Sequence, residues 1–292
     1  MKVLVTGAGG QLGRALIASA PADISVQGMS HGQLDIADHR AVDAVLRKLR
    51  PGVLVNAAGY TRVDDAETER EAAERANAVG PAVLAAACRA AGTWLAHVST
   101  DYVFDGAQSR PYPPAAATNP LGVYGATKLQ GERAVVRELP ANSTVLRTSW
   151  LYAADGRNFL TTMLRLMRTR PQLNVVSDQI GAPTSVTGLA RVLWAFTRQR
   201  VAGLYHWCDS GVASWYDFAV AIGEEALSAR LLTEIPSIVP IASADYPTAA
   251  RRPPCSLLDK RDTERLLGVT APHWRHALRE TLAARANIGA PL

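Results

Sequence analysis

A short apolar run at residues 2–6 ends in a glycine cluster and passes straight into a segment with helical spacing at residues 11–20. No other feature of the sequence constrains the fold as much. Gly7, Gly10 and Gly13 permit positive φ and let backbone approach a ligand closely. The helix that follows offers free N–H groups and a partial positive charge to an anion. A strand, a glycine turn and a helix in this order suit the pyrophosphate of a dinucleotide.

The first half of the chain repeats the alternation. Strand-like segments at residues 24–28, 53–56, 94–99 and 144–148 alternate with helical ones at residues 38–50, 69–91 and 121–138. Asp38 stands as an N-cap, and Pro51, Gly92 and Pro140 stand as stops. The strand runs are apolar throughout, which indicates a parallel sheet covered on both faces. The fold class expected is α/β, a Rossmann-type doubly wound parallel sheet. The second part is mixed. Helical spacing covers residues 159–169, 185–200, 214–226 and 272–286, and short strands fit residues 173–176, 203–207 and 237–240. The expected division is a dinucleotide-binding domain over 1–150 and a smaller mixed α/β substrate-binding domain over 151–292, with some segments returning to the sheet.

Composition removes other classes. The 292 residues are 48% hydrophobic and 20% charged, which is globular and not disordered. No run of 18 uncharged apolar residues is present, so no membrane span is expected. The start of the chain reads as a strand and not as a signal segment. Residues 1–150 hold 15 basic against 14 acidic side chains, and residues 151–292 hold 16 against 12. So mild a surplus is no nucleic-acid footprint, but it suits an anionic small molecule. Cys88, Cys208 and Cys255 are odd in number and lack C-x-x-C spacing, as in reduced thiols of a cytoplasmic protein.

The second strand should end near Gly28, followed by Met29, Ser30 and His31. No carboxylate stands there to repel a 2′-phosphate, and no arginine stands there to clamp one. NADPH or NADH therefore both fit, with NADPH slightly favoured. Asp35 and Ile36 begin the next loop, where they would meet the adenine side. The plain alternative for Asp35 is a turn or cap carboxylate.

Tyr124 and Lys128 stand at i and i+4 on one helix face. A phenol is a poor acid or base at neutral pH, and a nearby ammonium favours its phenolate. Lysine is scarce, with Lys2, Lys48, Lys128 and Lys260 the only four against 27 arginines. The pair precedes the fifth strand, while Thr100 ends the fourth. Ligands in doubly wound sheets bind at the carboxyl ends of strands. Arg251 and Arg252 lie in a Pro-rich loop, where an arginine fork matches a diphosphate; a solvated loop is the alternative. His273 and His276 stand at i and i+3 with no carboxylate at metal spacing, which favours a surface or interface role.

With these residues in place, the sequence resembles the extended short-chain dehydrogenase/reductases, and within them the reductases of dTDP-rhamnose biosynthesis. The resemblance runs through VTGAGGQLG, LDIAD, NAAGYTRVDDAE, STDYVFDG, NPLGVYGATKLQGE, RTSWLYA, DQIGAPT and ADYPTAARRP, in order along most of the chain. It implies that Gly10, Gln11 and Leu12 contact the dinucleotide, that Asp35 and Ile36 hold its adenine side, and that Ala58, Gly59, Tyr60 and Thr61 line it. It implies Thr100 as the hydroxyl orienting the substrate carbonyl with Asp101 beside it, Tyr124 as proton donor, Lys128 as its activator, and Trp150 packed on the sugar. The bland reading of Trp150 is a core residue. The implied reaction is NAD(P)H-dependent reduction of the 4-keto group of dTDP-4-dehydro-β-L-rhamnose, in a monomer or homodimer with no nucleic-acid or membrane partner. Some family members carry Mg2+ at a dimer interface on clustered glutamates. The C-terminal helix here offers only Glu280, which argues against it, and no metal ligand is assigned.

Two other readings stay open on the residues. A sugar-nucleotide epimerase or 4,6-dehydratase shares the frame, but Thr100-Asp101-Tyr102 supplies one carboxylate where elimination needs an acid and a base. A dinucleotide-binding regulatory subunit would not need the full set of Thr100, Tyr124 and Lys128.

Overall fold

The computed structural model describes residues 1–288, so residues 289–292 of the expected second domain fall outside it. The chain runs β1 (Lys2–Thr6), α1 (Gln11–Ala18), β2 (Ser25–Met29), α2 (His39–Leu49) and β3 (Val53–Asn56), then α3 (Arg70–Glu74), a π turn (Arg75–Val79) and α4 (Gly80–Ala91). It continues through β4 (Trp94–Thr100), α5 (Val123–Glu138), β5 (Ser143–Thr148), β6 (Leu151–Tyr152), α6 (Phe159–Met167), β7 (Gln172–Val176), β8 (Ile180–Gly181) and β9 (Thr184–Ser185). It ends with α7 (Val186–Gln199), β10 (Gly203–His206), β11 (Ala213–Ser214), α8 (Trp215–Ser228), β12 (Ser237–Ile241), α9 (Arg261–Leu267) and α10 (Trp274–Ile288).

Six parallel strands form the central sheet in the order β10-β5-β4-β3-β1-β2. Side chains alternate between its faces. Val3, Val5, Val55, Ala96 and Leu146 pack with α1 and α7, while Leu4, Leu54, Leu95 and Val145 pack with α2, α4 and α5. Burial on both faces is why these strands read as unbroken apolar runs. The chain leaves β1 toward β2 and returns to the other side through β3. The loops after β1 and β3 therefore flank the crevice where strand order reverses.

Local chemistry sets most boundaries. The Asp38 side chain accepts a hydrogen bond from the Ala41 N–H, and Arg50 takes a left-handed conformation before Pro51. The helix expected over 69–91 is instead two α segments joined by the π turn. There Gly80 lies so close to Ile36 that an added Cβ would meet its side chain at 2.5 Å. The two-residue strands β6, β8, β9 and β11, and helix α9, carry too little periodicity to be seen in sequence.

The second part of the chain splits its allegiance. Strand β10 pairs with β5, and Leu189, Leu193 and Phe196 of α7 share a core with Leu12 and Leu16 of α1. Helices α6, α8 and α10 with the β7–β12 pair make a separate core around Leu160, Leu164, Phe218, Ile222, Leu278 and Leu282. Much of the surplus of arginine in this part is engaged: Arg275 pairs with Glu224 and Glu225, and Arg279 with Glu225. Cys88 and Cys208 are buried free thiols, and Cys255 is partly exposed. Among the described residues no helix is long and apolar enough to cross a membrane.

One ion pair is nearly dry. Arg147 on β5 meets Glu132 on α5 through two hydrogen bonds of 2.9 and 2.7 Å, with side chains 4% and 2% exposed. Its guanidinium also bonds the Pro114 carbonyl and lies over the Phe104 ring.

Candidate active site at the carboxyl edge of the sheet

The glycine loop closes on itself. Gly7 has φ +72°, the Gly10 N–H donates to the Gly7 carbonyl at 2.9 Å, and a Cβ on Gly13 would lie 2.2 Å from that carbonyl oxygen. Helix α1 then starts at Gly10 with no side-chain cap and no acidic residue in its first turn. Its first amides are left to a ligand, so the loop fits an anionic pyrophosphate. Leu12 and Gly13 are buried and shape the loop from below. Gln11 bonds Arg157 O and Asn158, which ties the loop to the start of α6. Gly13→Ala is expected to destabilise the fold by about 1–3 kcal/mol through overpacking and to abolish dinucleotide binding. Thermal unfolding and cofactor titration check this, and unchanged binding would refute the tight-loop account.

The loop after β3 is held by two buried amides. Asn56 accepts from Thr6 and from the Ala58 N–H, and its own amide group meets His97 at 3.0 Å. Asn77 in the π turn accepts from the Tyr60 N–H and donates to the Tyr60 carbonyl, and so fixes Ala58, Gly59 and Tyr60. The Tyr60 hydroxyl donates to Glu69, and Thr61 is exposed. Asp35 pairs with Arg75 at 2.6 Å and accepts from the Ala37 N–H. The Ile36 side chain is 5% exposed and belongs to the sheet core, so only its backbone is free to face a ligand.

Lys128 is 6% exposed, and its ammonium donates to the Val98 carbonyl at 2.6 Å. A Cβ on Gly59 would lie 3.9 Å from it, so the charge sits beneath the β3 loop. Burial pushes its pKa down to about 8, against a smaller upward pull from Glu132. The Tyr124 ring stands edge-on to Tyr102 at 5.5 Å. Burial pushes the phenol up to about 12, Thr100 draws it back, and the Asp101 charge adds to the rise. The ammonium expected to activate the phenol is itself held by the Val98 carbonyl. The i, i+4 spacing aligns the two side chains on the helix, but the ammonium finds its partner on β4.

The Thr100 hydroxyl has two partners within the fold. It donates to Asp101 Oδ1 at 3.0 Å and accepts from the Tyr102 N–H at 3.2 Å. Its one proton is therefore engaged by Asp101 rather than offered to a carbonyl. Asp101 itself is 1% exposed and lies behind Thr100, with Ser256 on its other oxygen.

Trp150 holds φ +46° at the end of β5 and stacks on Trp215 at 3.6 Å with 4° between the planes. Left-handed backbone at a non-glycine residue costs energy and collects at functional sites. Gly181 of β8 lies under the indole, where a Cβ would sit 2.5 Å away. That contact explains the glycine in DQIGAPT. Arg252 forks onto Asp64 at 3.1 and 2.6 Å, and Asp64 also accepts from the Ala250 N–H. The guanidinium expected to grip a diphosphate is thus engaged with the loop after β3.

Sequence reasoning missed several residues of the site. Glu67 accepts from the Val123 N–H at 2.8 Å and caps the helix that carries Tyr124. Asp64, Trp215 and Ser256 were likewise unmarked, because their partners are remote in sequence. Among the described residues no group of three or more His, Cys, Asp and Glu is placed to hold a metal ion. A cavity of about 470 Å3 between α7 and α10, lined by Ser185, Arg191, Trp207 and Thr281 among others, contains none of these site residues. The carboxyl edge of the sheet is the better site on both chemistry and topology.

A nucleotide-type glycine loop facing a phenol, a threonine and a buried ammonium places the chain among the short-chain dehydrogenase/reductase folds. The family model described as RmlD substrate binding domain matches residues 1–287, and the chain belongs to that family. It is 40% identical over 291 residues to the dTDP-4-dehydrorhamnose reductase of Aggregatibacter actinomycetemcomitans, covering 97% of this chain and 98% of the relative. It is 41% identical over 278 residues to the dTDP-4-keto-6-deoxy-D-glucose reductase of Streptomyces niveus, covering 94% of each. The structure of the Bacillus anthracis dTDP-4-dehydrorhamnose reductase in complex with NADP matches with a TM-score of 0.91 at 34% identity, over 97% of this chain and 99% of the other.

Proposed function

We propose that this chain reduces the 4-keto group of dTDP-4-dehydro-β-L-rhamnose with NAD(P)H to give dTDP-β-L-rhamnose. The single observation that carries the chemistry is the placement of Tyr124 and the buried Lys128 on α5, which packs against β4 where Thr100 ends it; burial keeps the phenol protonated. When bound, the reduced nicotinamide supplies the hydride that adds to the carbonyl carbon. Tyr124 gives its proton to the carbonyl oxygen as negative charge develops there. Lys128 leaves a positive charge under the phenolate side of the site. The amides at the start of α1 hold the dinucleotide pyrophosphate, with Gly7, Gly10, Gln11, Leu12 and Gly13 forming that cradle. Ala58, Gly59, Tyr60 and Thr61 line the dinucleotide, and Asp35 with the Ile36 backbone faces its adenine side. Trp150 gives the sugar a rigid apolar wall.

Residues 1–150 with β10 and α7 form the dinucleotide-binding body, and the lobe of α6, α8 and α10 forms the substrate side. Arg252 exchanges Asp64 for the substrate diphosphate, since phosphate oxygens match the same fork. NADPH is the favoured reductant, because residues 29–31 carry no acid to repel a 2′-phosphate and the Bacillus anthracis relative was solved with NADP. A second sugar stereochemistry has its own support in the Streptomyces niveus relative.

A panel of dTDP- and UDP-linked 4-keto-6-deoxy sugars, followed by loss of NADPH and NADH absorbance, tests the assignment. Stoichiometric NADPH loss with the dTDP-4-dehydrorhamnose substrate is expected. Isomerisation or elimination without net oxidation of the cofactor would replace the reading with an epimerase or dehydratase. Dinucleotide binding with no turnover on any sugar would favour a regulatory subunit.

A further inference from the structure

We infer that Ser256, from the second part of the chain, and Asp101 act together as positioning residues that orient the Thr100 hydroxyl at the end of β4; the inference rests on the reductase reading above. The case starts from proton counting. A threonine hydroxyl has one proton and two lone pairs. Thr100 Oγ1 spends its proton on Asp101 Oδ1 and one lone pair on the Tyr102 N–H. Both are partners within the fold, so the direction of the Thr100 O–H is set by Asp101. While Asp101 is a carboxylate, the Thr100 proton has one defined direction.

Ser256 completes the chain from the far side. Its hydroxyl donates to Asp101 Oδ2, and the two residues are 2% and 1% exposed. Water does not reach this carboxylate, so its charge depends on the donors the fold supplies. Those facing it are Thr100 on β4, the Tyr102 N–H on the turn that follows, and Ser256. The phenols of Tyr102 and Tyr124 and the Cys208 thiol also lie within its field, and Arg252 and Asp64 act on neighbouring Tyr102. Burial pushes Asp101 up to about 6, and the Ser256 and Thr100 hydrogen bonds pull against that rise.

The same backbone reaches the sugar wall. The Ser256 N–H donates to the Ile180 carbonyl at 2.9 Å, and the Ile180 N–H donates to the Pro254 carbonyl at 2.8 Å. Ile180 adjoins Gly181, on which the Trp150 indole lies. The strand that shapes the sugar wall is therefore paired with the segment that carries Ser256, the residue that holds Asp101. A shift of the second lobe is passed to Thr100 through Ser256 and Asp101.

Steady-state kinetics across pH test the role. Asp101 loses its charge as pH falls through its pKa, and it then no longer accepts the Thr100 proton, so kcat has an acid limb there. Ser256→Ala removes a donor to the charged form and raises the pKa, so the limb moves to higher pH by about one unit. It also lowers kcat roughly tenfold at neutral pH with KM and cofactor affinity unchanged. Ser256→Thr keeps the donor and restores both. Wild-type kcat and an unmoved limb in Ser256→Ala overturn the inference, and so does a loss of kcat with no limb shift and no rescue by threonine. The carboxyl 13C resonance of Asp101, assigned by its loss in Asp101→Asn, gives a readout that needs no substrate. Its titration midpoint is expected to rise in Ser256→Ala and to return in Ser256→Thr. A shifted midpoint in an enzyme that reduces no keto sugar would defeat the reductase reading and leave the hydroxyl chain standing. An unshifted midpoint defeats the chain itself.

Discussion

Tyr124→Phe is expected to lose roughly 10²–10⁴ in turnover, the range for a removed general acid, while dinucleotide affinity and thermal stability stay near wild type. The substitution removes one hydroxyl and leaves the edge-on packing against Tyr102 intact. The expected pH dependence follows from the site. The phenol, pushed up to about 12, stays protonated and ready to donate throughout the neutral range. Lys128, pushed down to about 8, loses its charge as pH rises through that value. Turnover should therefore decline on the alkaline side of about pH 8, and Lys128→Met should lower the rate and remove that limb. Stopped-flow or steady-state loss of NADPH absorbance reads both outcomes. Near-normal turnover in Tyr124→Phe would sink the proton-donor assignment whatever the substrate is.

The largest stability effect is expected at the ion pair between Arg147 and Glu132. Removing one partner of a buried pair leaves an uncompensated charge in low dielectric, which costs about 3–5 kcal/mol. Glu132→Gln should accordingly lower the melting temperature on the order of 10 °C. The double variant Glu132→Leu, Arg147→Met removes both charges and should recover much of that loss, because apolar replacements of a buried pair are often near neutral. Calorimetry of the single and double variants measures the coupling. A single variant as stable as wild type would falsify the claim that this pair holds α5 to β5. The consequence reaches the site, since α5 carries Tyr124 and Lys128.

Much of the framework was legible because its signals are local. Apolar runs marked four of the six strands of the central sheet, and β2 and β10 read as short strands at residues 24–28 and 203–207. The spacing of Tyr124 and Lys128 is a property of one helix, and the glycine turn is a property of seven consecutive residues. What the sequence did not show has a common cause. The π turn at Arg75–Val79 is stabilised by what Asn77 and Gly80 touch across the fold, not by its own residues. The direction of the Lys128 ammonium was decided by a carbonyl 30 residues away. The Arg252 fork was engaged by Asp64 at a separation of 188 residues, and the surplus arginines of α10 were met by glutamates on α8.

By itself, the sequence determined an α/β sheet with a dinucleotide-type glycine loop and placed a phenol, an ammonium and a threonine near its carboxyl edge. Periodicity and backbone sterics act over a few residues, so spacing alone carries that information. Only the tertiary structure decided how those groups meet. It set the Thr100 proton on Asp101, brought Ser256 to that carboxylate across 155 residues, and stacked Trp150 on Trp215. Such contacts depend on how remote elements pack, and hydrogen-bond direction in a buried chain depends on every partner being present at once.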